Sequence, residues 1–203
     1  MIKGLIFDCD GTLADTMPLH WRAWNHVTTR HGLNFPEERF YAMGGVPSRD
    51  ILKLLRLEQG LDIDPLAIAH EKEQEYLRIM HEVTLIDEVV AIAREHHGRI
   101  PMAVASGGNQ NIICRVLEKL EIRHLFAAVV TSEMVQNQKP APDIFLEAAR
   151  RLGVEPRLCR GYEDTDLGMT AIRAAGMAAV DVRTLRCHTK LSPAALSRGP
   201  AGA

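Results

Sequence analysis

The chain carries two kinds of apolar pattern in different parts of its length. After residue 85, short apolar runs that predict strands alternate with segments whose apolar residues recur at helical spacing. The strand-like runs are 101–105, 127–131, 160–163 and 178–182, and the helical segments are 85–97, 111–120, 142–152 and 167–175. Gly98, Gly153 and Gly176 follow three of these segments, where glycine commonly ends a helix. This repeated alternation predicts an α/β fold with a parallel sheet and helices on both faces.

The first 84 residues have a different organisation. Residues 2–7 form an apolar run that predicts a buried first strand, and four helical patterns follow at 20–31, 37–43, 48–59 and 65–80. We therefore expect a Rossmann-like doubly wound core formed by residues 1–15 and 84–203, with an all-helical cap inserted at 16–83. The residues after about 184 are rich in Pro, Ser, Gly and Ala, and we expect them to be weakly ordered.

Composition excludes several classes of protein. The 203 residues are 46% hydrophobic and 25% charged, with a net charge of −2, so no electrostatic binding of nucleic acid is indicated. No apolar run approaches the ~20 residues of a membrane helix, and the first residues lack a signal-peptide pattern. The four cysteines are scattered, which predicts neither a zinc site nor disulfides and favours the cytoplasm. A monomer is the default expectation.

Two carboxylates stand at the end of the first predicted strand. Asp8 and Asp10 are separated by one residue, and Gly11 interrupts the strand directly after them. At the carboxyl end of a parallel strand both side chains can face a ligand-binding crevice, where their repulsion favours a bound cation or a shared proton. The alternative is that they are turn or helix-cap residues, since Asp is common in turns.

Three later segments place polar side chains at the ends of other predicted strands. Ser106 is followed by a glycine-rich turn with Gly107 and Asn109, whose backbone N–H groups could face an anion. Lys139 precedes a proline, which favours an extended backbone. Glu163 and Asp164 offer hard oxygen ligands, whereas we interpret Asp166 as the cap of the next helix.

The ordered set Asp-x-Asp-Gly-Thr, Ser, Lys-Pro and Glu-Asp resembles the haloacid dehalogenase superfamily of phosphohydrolases over about residues 1–183. The resemblance implies that Asp8 is the nucleophile, forming an aspartyl-phosphate, and that Asp10 is the acid/base, whose pKa should be raised or tuned by its surroundings. It also implies that Ser106 and Lys139 hold the phosphoryl oxygens. Mg²⁺ would be bound by Asp8, the carbonyl of Asp10 and Asp164, with Glu163 supporting the metal shell.

The cap segment is similar to the β-phosphoglucomutase branch of this superfamily. That similarity implies leaving-group contacts for five cap residues, namely Thr16, His20, Trp24, Arg49 and Lys72. The alternatives are a core position for Trp24 and a solvated helix face for Lys72. Cap closure would need hinges near 14–18 and 83–85.

Two features favour a phosphatase over the mutase. The first motif has a threonine, Thr12, at a place where many phosphatases also have one. The loop after Ser106 lacks the lysine with which the mutase binds phosphate. Segments 97–104 and 173–183 are similar to the bacterial fructose-1-phosphate/6-phosphogluconate phosphatase subgroup. We therefore expect a Mg-dependent phosphatase acting on a small sugar phosphate. The alternatives are a β-phosphoglucomutase and, more remotely, a non-catalytic phospho-switch.

Overall fold

The fold is organised around a five-stranded parallel sheet. The computed structural model describes residues 1–186, so most of the tail predicted to be weakly ordered lies outside the described residues. The strands are β1 (Gly4–Phe7), β2 (Met102–Ser106), β3 (Ala128–Thr131), β4 (Cys159–Glu163) and β5 (Ala178–Asp181), in the order β3-β2-β1-β4-β5. Because β1 is central and β2 and β4 flank it, residues 8, 106 and 163 reach one edge of the sheet at neighbouring positions.

Four helices lie between β1 and the rest of the sheet, as predicted. They are α1 (Met17–Arg30), α2 (Glu37–Ala42), α3 (Ser48–Gln59) and α4 (Pro65–Ile79). The prediction that the first begins at His20 was wrong by three residues, because Pro18 is tolerated in the first turn of a helix. The cap has a hydrophobic core of its own, which includes Trp24, Phe35 and Leu52. The cap therefore does not depend on the sheet alone for its apolar burial.

The remaining helices cover both faces of the sheet. They are α5 (Asp87–His96), α6 (Gln110–Lys119), α7 (Asp143–Leu152), α8 (Asp166–Ala174) and α9 (Arg183–Arg186), and short 3₁₀ turns occur at Met80–Glu82, Arg123–Leu125, Ser132–Met134 and Pro156–Leu158. Residues of β1 alternate between two clusters: Leu5 and Phe7 pack with α5 and α6, whereas Ile6 packs with α7 and α8. The α/β fold with a helical insert is thus confirmed, and the bounds of the predicted elements agree with the observed ones to within three residues.

The cap joins the core through two adjacent chain segments. Asp15 N donates to Thr84 O at 2.9 Å, and Ala14 forms an isolated antiparallel bridge with Leu85. The two passages between cap and core thus lie side by side, close to the predicted domain limits at 15/16 and 83/84. Those limits themselves remain a prediction.

Candidate active site

Asp8 lies at the carboxyl end of the central strand and is buried. Its backbone N–H donates to Tyr162 O at 3.0 Å, which continues the β1–β4 ladder by one residue. The chain then turns, because Leu13 N and Ala14 N both donate to Cys9 O. This turn brings Asp10 back into the same crevice as Asp8, where both side chains line one cavity.

A buried lysine joins Asp8 to the end of the neighbouring strand. Lys139 Nζ lies 2.7 Å from Asp8 Oδ1 and 3.2 Å from Glu163 Oε2. Burial alone would lower the pKa of Lys139, but the two carboxylates outweigh it and raise the pKa. Lys139 is therefore a permanent positive charge at this edge of the sheet.

Three carboxylates form a cluster around the end of β4. Asp8, Glu163 and Asp164 each offer one oxygen, and these oxygens lie within 4.8 Å of one another. Burial raises the pKa of Asp8 to about 7 and that of Glu163 to about 7; burial together with the charge of Glu163 raises the pKa of Asp164 to about 6. When all three carboxylates are ionised, the ammonium group of Lys139 compensates one of their charges and two negative charges remain. The donor set and its charge fit a hard divalent cation.

Close contacts fix the orientation of the two carboxylates that follow β4. Thr12 Oγ1 donates to Asp164 Oδ1 at 2.9 Å, and the Thr165 hydroxyl donates to Glu163 Oε1. A Cβ added at Gly11 would lie 2.2 Å from Asp164 Oδ2, and one added at Gly168 would lie 2.1 Å from the carboxyl carbon of Glu163. Both glycines are therefore needed for the carboxylates to occupy these positions.

Asp10 is surrounded by hydrogen-bond donors. Thr16 Oγ1 donates to its Oδ1 at 2.8 Å, Ser106 Oγ donates to its Oδ2 at 3.4 Å, and His20 Nε2 lies 3.4 Å from Oδ1. Burial raises the pKa of Asp10, but the bonds from His20 and Thr16 and the charge of Lys72 outweigh it and lower the pKa. The surroundings of Asp10 therefore tune its pKa, as expected, but they lower it, because donors from the cap segment stabilise the ionised form.

Lys72 reaches Asp10 through His20. Its Nζ lies 3.0 Å from His20 Nδ1, and the imidazole stacks on Tyr76 with the ring centroids 4.0 Å apart. Because an ammonium group can only donate, Nδ1 accepts and the ring proton lies on Nε2, facing Asp10. Lys72 is 5% exposed, and burial lowers its pKa to about 8. The interpretation of Lys72 as part of a solvated helix face was therefore wrong.

The Ser106 loop is tied to the chain that follows β3. Gly108 N donates to Ser106 Oγ at 3.0 Å, and Gly108 O accepts from Ser132 Oγ at 3.1 Å. Asn109 caps α6, and its Nδ2 donates to Glu133 Oε1 at 2.9 Å. Glu133 was missed by the sequence analysis, since no pattern marks a carboxylate 24 residues away as a partner of this loop.

The cavity between the cap and the sheet edge has a volume of about 540 Å³. It brings together most of the predicted site residues, namely Asp8, Asp10, His20, Trp24, Arg49, Lys72, Ser106, Gly107, Asn109, Lys139 and Glu163. Trp24 belongs to the cap core as well, which agrees with the alternative of a core position, and its contact with a leaving group remains a prediction. Arg49 enters from the start of α3, where its Nε is 3.5 Å from Asp50 Oδ1. Thr16 reaches the site through Asp10, and Asp164 lines a neighbouring cavity of about 530 Å³.

The helix that follows Glu163 and Asp164, α8, has a different N-cap residue from the predicted one. Thr165, not Asp166, is the N-cap of α8, and its Oγ1 accepts from Gly168 N at 3.0 Å. Asp166 is the first helical residue and pairs with Arg183 at 2.8 Å. The prediction for Asp166 as a cap was wrong, although it does lie outside the carboxylate cluster, as expected.

A family model places this geometry among known proteins. Residues 5–182 match the model described as haloacid dehalogenase-like hydrolase, which covers the helical cap and all five strands apart from the first residue of β1. The chain belongs to this family. The match confirms the predicted superfamily and the prediction of an enzyme of the hydrolase class.

Two curated members of the family are similar over nearly the whole chain. The fructose-1-phosphate phosphatase YqaB of Escherichia coli (strain K12) is 43% identical over 183 residues, which are 90% of this chain and 97% of that protein. The β-phosphoglucomutase of Bacillus subtilis (strain 168) is 30% identical over 190 residues, covering 89% and 83% of the two chains. Both branches considered in the sequence analysis are therefore represented among the relatives of this family member.

A solved structure confirms the arrangement of core and cap. The β-phosphoglucomutase of Clostridium difficile superposes with a TM-score of 0.81 at 25% identity, covering 92% of this chain and 88% of that one. Among residues 1–186, no helix has the length and apolar character needed to cross a membrane.

Proposed function

We propose that this protein is a magnesium-dependent phosphatase that hydrolyses small sugar phosphates through an aspartyl-phosphate on Asp8. The observation that carries the proposal is the position of Asp8. Its carboxylate is buried at the end of the central strand, 2.7 Å from Lys139 Nζ, and faces the cavity under the cap. The relationship to a fructose-1-phosphate phosphatase at 43% identity supports a sugar phosphate as the substrate.

Mg²⁺ fits the carboxylate cluster because oxygen ligands and two uncompensated negative charges are what a small divalent cation requires. Asp8, the backbone carbonyl of Asp10 and Asp164 would hold the ion, and Glu163 would support its shell while it also binds Lys139. When bound, the ion neutralises phosphate oxygens and the developing charge of the transferring group.

The other groups at the sheet edge suit phosphoryl transfer. Asp8 attacks phosphorus, which forms a P–O bond to its carboxylate oxygen and breaks the bond to the sugar oxygen. Lys139 provides a fixed cation, and Ser106 with the N–H groups of its glycine-rich loop provides hydrogen-bond donors for the phosphoryl oxygens. These roles need positioning and charge rather than further covalent chemistry.

Asp10 serves as the acid/base. It must hold a proton when the sugar oxygen leaves. His20 Nε2, 3.4 Å from Asp10 Oδ1, can release one as Lys72 Nζ passes a proton to His20 Nδ1 over 3.0 Å, so that the imidazole stays neutral. The lowered pKa of Asp10 then favours the second half of the reaction, in which ionised Asp10 takes a proton from the water that attacks the aspartyl-phosphate.

The cap and the Ser106 loop enclose the leaving group. His20, Trp24, Arg49 and Lys72 approach from the cap, while Gly107 and Asn109 approach from the core. Thr16 contributes by orienting Asp10. A cavity of about 540 Å³ with several hydrogen-bonding groups suits a small polyhydroxylated metabolite.

The proposal is tested by a phosphate-release screen over hexose and pentose monophosphates with and without EDTA. We expect release that depends on Mg²⁺ and that is fastest for a sugar phosphate. Release that continues unchanged in EDTA would contradict the metal requirement, and the absence of release from every sugar phosphate would contradict the substrate class.

A second candidate is a β-phosphoglucomutase, favoured by the 30% identity to the Bacillus subtilis enzyme. Product analysis with β-glucose 1-phosphate separates the two, because a mutase yields glucose 6-phosphate with little free phosphate. Thr12 and the absence of a lysine after Ser106 favour the phosphatase. A monomeric state and a cytoplasmic location remain predictions.

A further inference from the structure

A carboxylate of the chain itself occupies the amino-terminal end of α6. Glu133 Oε2 accepts from Gln110 N at 2.8 Å, and its Oε1 accepts from Asn109 Nδ2 at 2.9 Å. The next N–H, that of Asn111, donates to Asn109 Oδ1 at 3.0 Å. The amino-terminal end of a helix normally attracts phosphate because its N–H groups are unpaired and its dipole is positive. Here the first two of these N–H groups already have acceptors within the chain.

This end of α6 faces the leaving-group side of the active-site cavity. Asn109 and Glu133 line the same cavity as Asp8, Ser106 and Lys139, and residues of the cap line its other side, so a substrate whose phosphate rests at Asp8 would share this cavity with the Glu133 carboxylate. Glu133 belongs to the short turn after β3, which also binds the Ser106 loop through Ser132. The carboxylate is therefore held in place by the same loop that receives the transferring phosphate.

The charges around the cavity affect a substrate with one phosphate group differently from a substrate with two. Lys139 is committed to Asp8 and Glu163. On the leaving-group side, the cap contributes Arg49 and Lys72, whereas Glu73 and Glu133 contribute negative charge. A second phosphate directed towards α6 would meet the Glu133 carboxylate and would find the amide of Asn109 already bonded.

We infer that Glu133 is a specificity-determining residue, whose carboxylate disfavours substrates that carry a second phosphate on the leaving group. The inference rests on the proposed phosphatase function and deepens it, since it restricts the substrate class to sugar monophosphates with a neutral polyhydroxyl leaving group. Like charges placed close together in an interface are unfavourable, and a mismatched partner is rejected in this way without loss of contacts to the correct one.

The experiment compares two substrates that differ by one phosphate, fructose 1-phosphate and fructose 1,6-bisphosphate. The measured quantity is the ratio of kcat/KM for the bisphosphate to kcat/KM for the monophosphate. Glu133→Gln removes the charge and keeps one acceptor for the loop, and Glu133→Ala removes both. Glu118→Gln is the matched control, because it removes the same charge from an exposed position on α6 outside the cavity.

We expect the ratio to rise about tenfold in Glu133→Gln and to rise in Glu133→Ala, chiefly through a lower KM for the bisphosphate, while Glu118→Gln keeps the wild-type ratio. A ratio within twofold of wild type in both Glu133 variants would overturn the inference. So would an equal loss for both substrates, since that is the result of a residue that only positions the loop. Melting temperatures verify that each variant is folded.

Failure of the proposed function is recognised separately. If the wild-type protein releases phosphate neither from these two sugars nor from any other sugar phosphate of the screen, the phosphatase proposal fails. Equilibrium titration of the two sugars into Asp8→Asn protein, with and without Glu133→Gln, then tests selectivity without turnover. If the protein with both substitutions binds the bisphosphate more tightly than Asp8→Asn protein does, the inference is supported. If the two proteins bind the bisphosphate with the same affinity, the inference is overturned.

Discussion

Lys139 Nζ lies 2.7 Å from Asp8 Oδ1, although 131 residues separate them in the chain. Both side chains are nearly removed from solvent, with 3% and 7% of their surfaces exposed. The second bond of Lys139, to Glu163 at 3.2 Å, makes the lysine a bridge between the ends of β1 and β4. A cation that is placed between two buried carboxylates affects both the stability of the fold and the chemistry of the site.

Replacing Lys139 should therefore affect stability and activity together. Lys139→Ala leaves two buried carboxylates without their cation, which should lower the free energy of unfolding in EDTA by about 3 kcal/mol. The loss of a preorganised charge at the transferring phosphate should lower kcat about 10³-fold. Chemical denaturation and a phosphate-release assay measure the two effects.

The control is Lys53→Ala, since Lys53 pairs with Asp50 at 3.0 Å on an exposed face of the cap. Lys53→Ala should lower the free energy of unfolding by about 0.5 kcal/mol or less and leave kcat unchanged. Equal effects of the two substitutions would contradict a special role for Lys139.

Gly11 should be required for metal affinity. Its φ is +84°, and a Cβ at this position would lie 2.2 Å from Asp164 Oδ2. Gly11→Ala should displace the Asp164 carboxylate and raise the Mg²⁺ concentration for half-maximal activity by about tenfold or more. Titration of activity with Mg²⁺ is the measurement.

Gly32→Ala provides the matched control, because Gly32 has a φ of +65° with no atom within 4 Å of the added Cβ. This variant should lose about 1 kcal/mol of stability from backbone strain and keep the wild-type Mg²⁺ dependence. If Gly11→Ala behaved in the same way, the close approach to Asp164 would have no functional consequence.

Lys72 should make stability depend on pH above neutrality. Burial lowers its pKa in the folded protein to about 8, below its ordinary value of 10.5. The folded protein thus binds fewer protons than the unfolded chain between these values, so the contribution of Lys72 to stability increases as the pH rises. Relative to Lys72→Met, the wild-type free energy of unfolding should increase by about 2 kcal/mol from pH 7 to pH 10.

Denaturant unfolding of both proteins at the two pH values measures this difference. Lys53→Met, at an exposed position, should show no comparable change. A wild-type to Lys72→Met difference that is constant across this pH range would show that the burial of Lys72 does not disfavour its charge.

The cap should move relative to the core about its two linkers. The hinges predicted at 14–18 and 83–85 coincide with the paired segments joined by the bond from Asp15 N to Thr84 O. Spin labels at Leu57→Cys on α3 and Leu146→Cys on α7 report the distance between cap and core, with Cys114 and Cys187 replaced by Ser. We expect this distance to change when Mg²⁺ and a phosphate analogue are added.

A core-only pair, Arg94→Cys with Leu146→Cys, serves as the control and should give the same distance in both conditions. Identical distance distributions for the cap–core pair with and without the analogue would contradict cap motion.

Much of the fold could be predicted from local patterns. The strands of the sheet are short apolar runs such as 101–105, and glycines follow several helices, so their approximate positions can be recognised without tertiary information. The start of α1 could not be predicted in this way, since Pro18 suggests a boundary and only the first-turn position makes it compatible with a helix.

The site residues at the sheet could be predicted because residues such as Asp8, Ser106 and Asp164 lie at or directly after the end of a strand, but their environment could not. The lowered pKa of Asp10 depends on Thr16 and His20, which approach from the cap only after the two segments have packed. The burial of Lys72 and the bond from Glu133 to Gln110 N likewise depend on contacts between residues distant in sequence. Sequence motifs therefore indicate the chemistry, whereas packing determines the protonation states.

The central claim is that Asp8 is the nucleophile, and the most direct test is phosphate release from a sugar phosphate by Asp8→Asn protein in the presence of Mg²⁺. The substitution is nearly isosteric, so the position at the end of β1 is kept while the attacking carboxylate is lost. We predict that phosphate release falls by about 10⁴-fold or more relative to wild type. Activity within tenfold of wild type in folded Asp8→Asn protein would contradict the account.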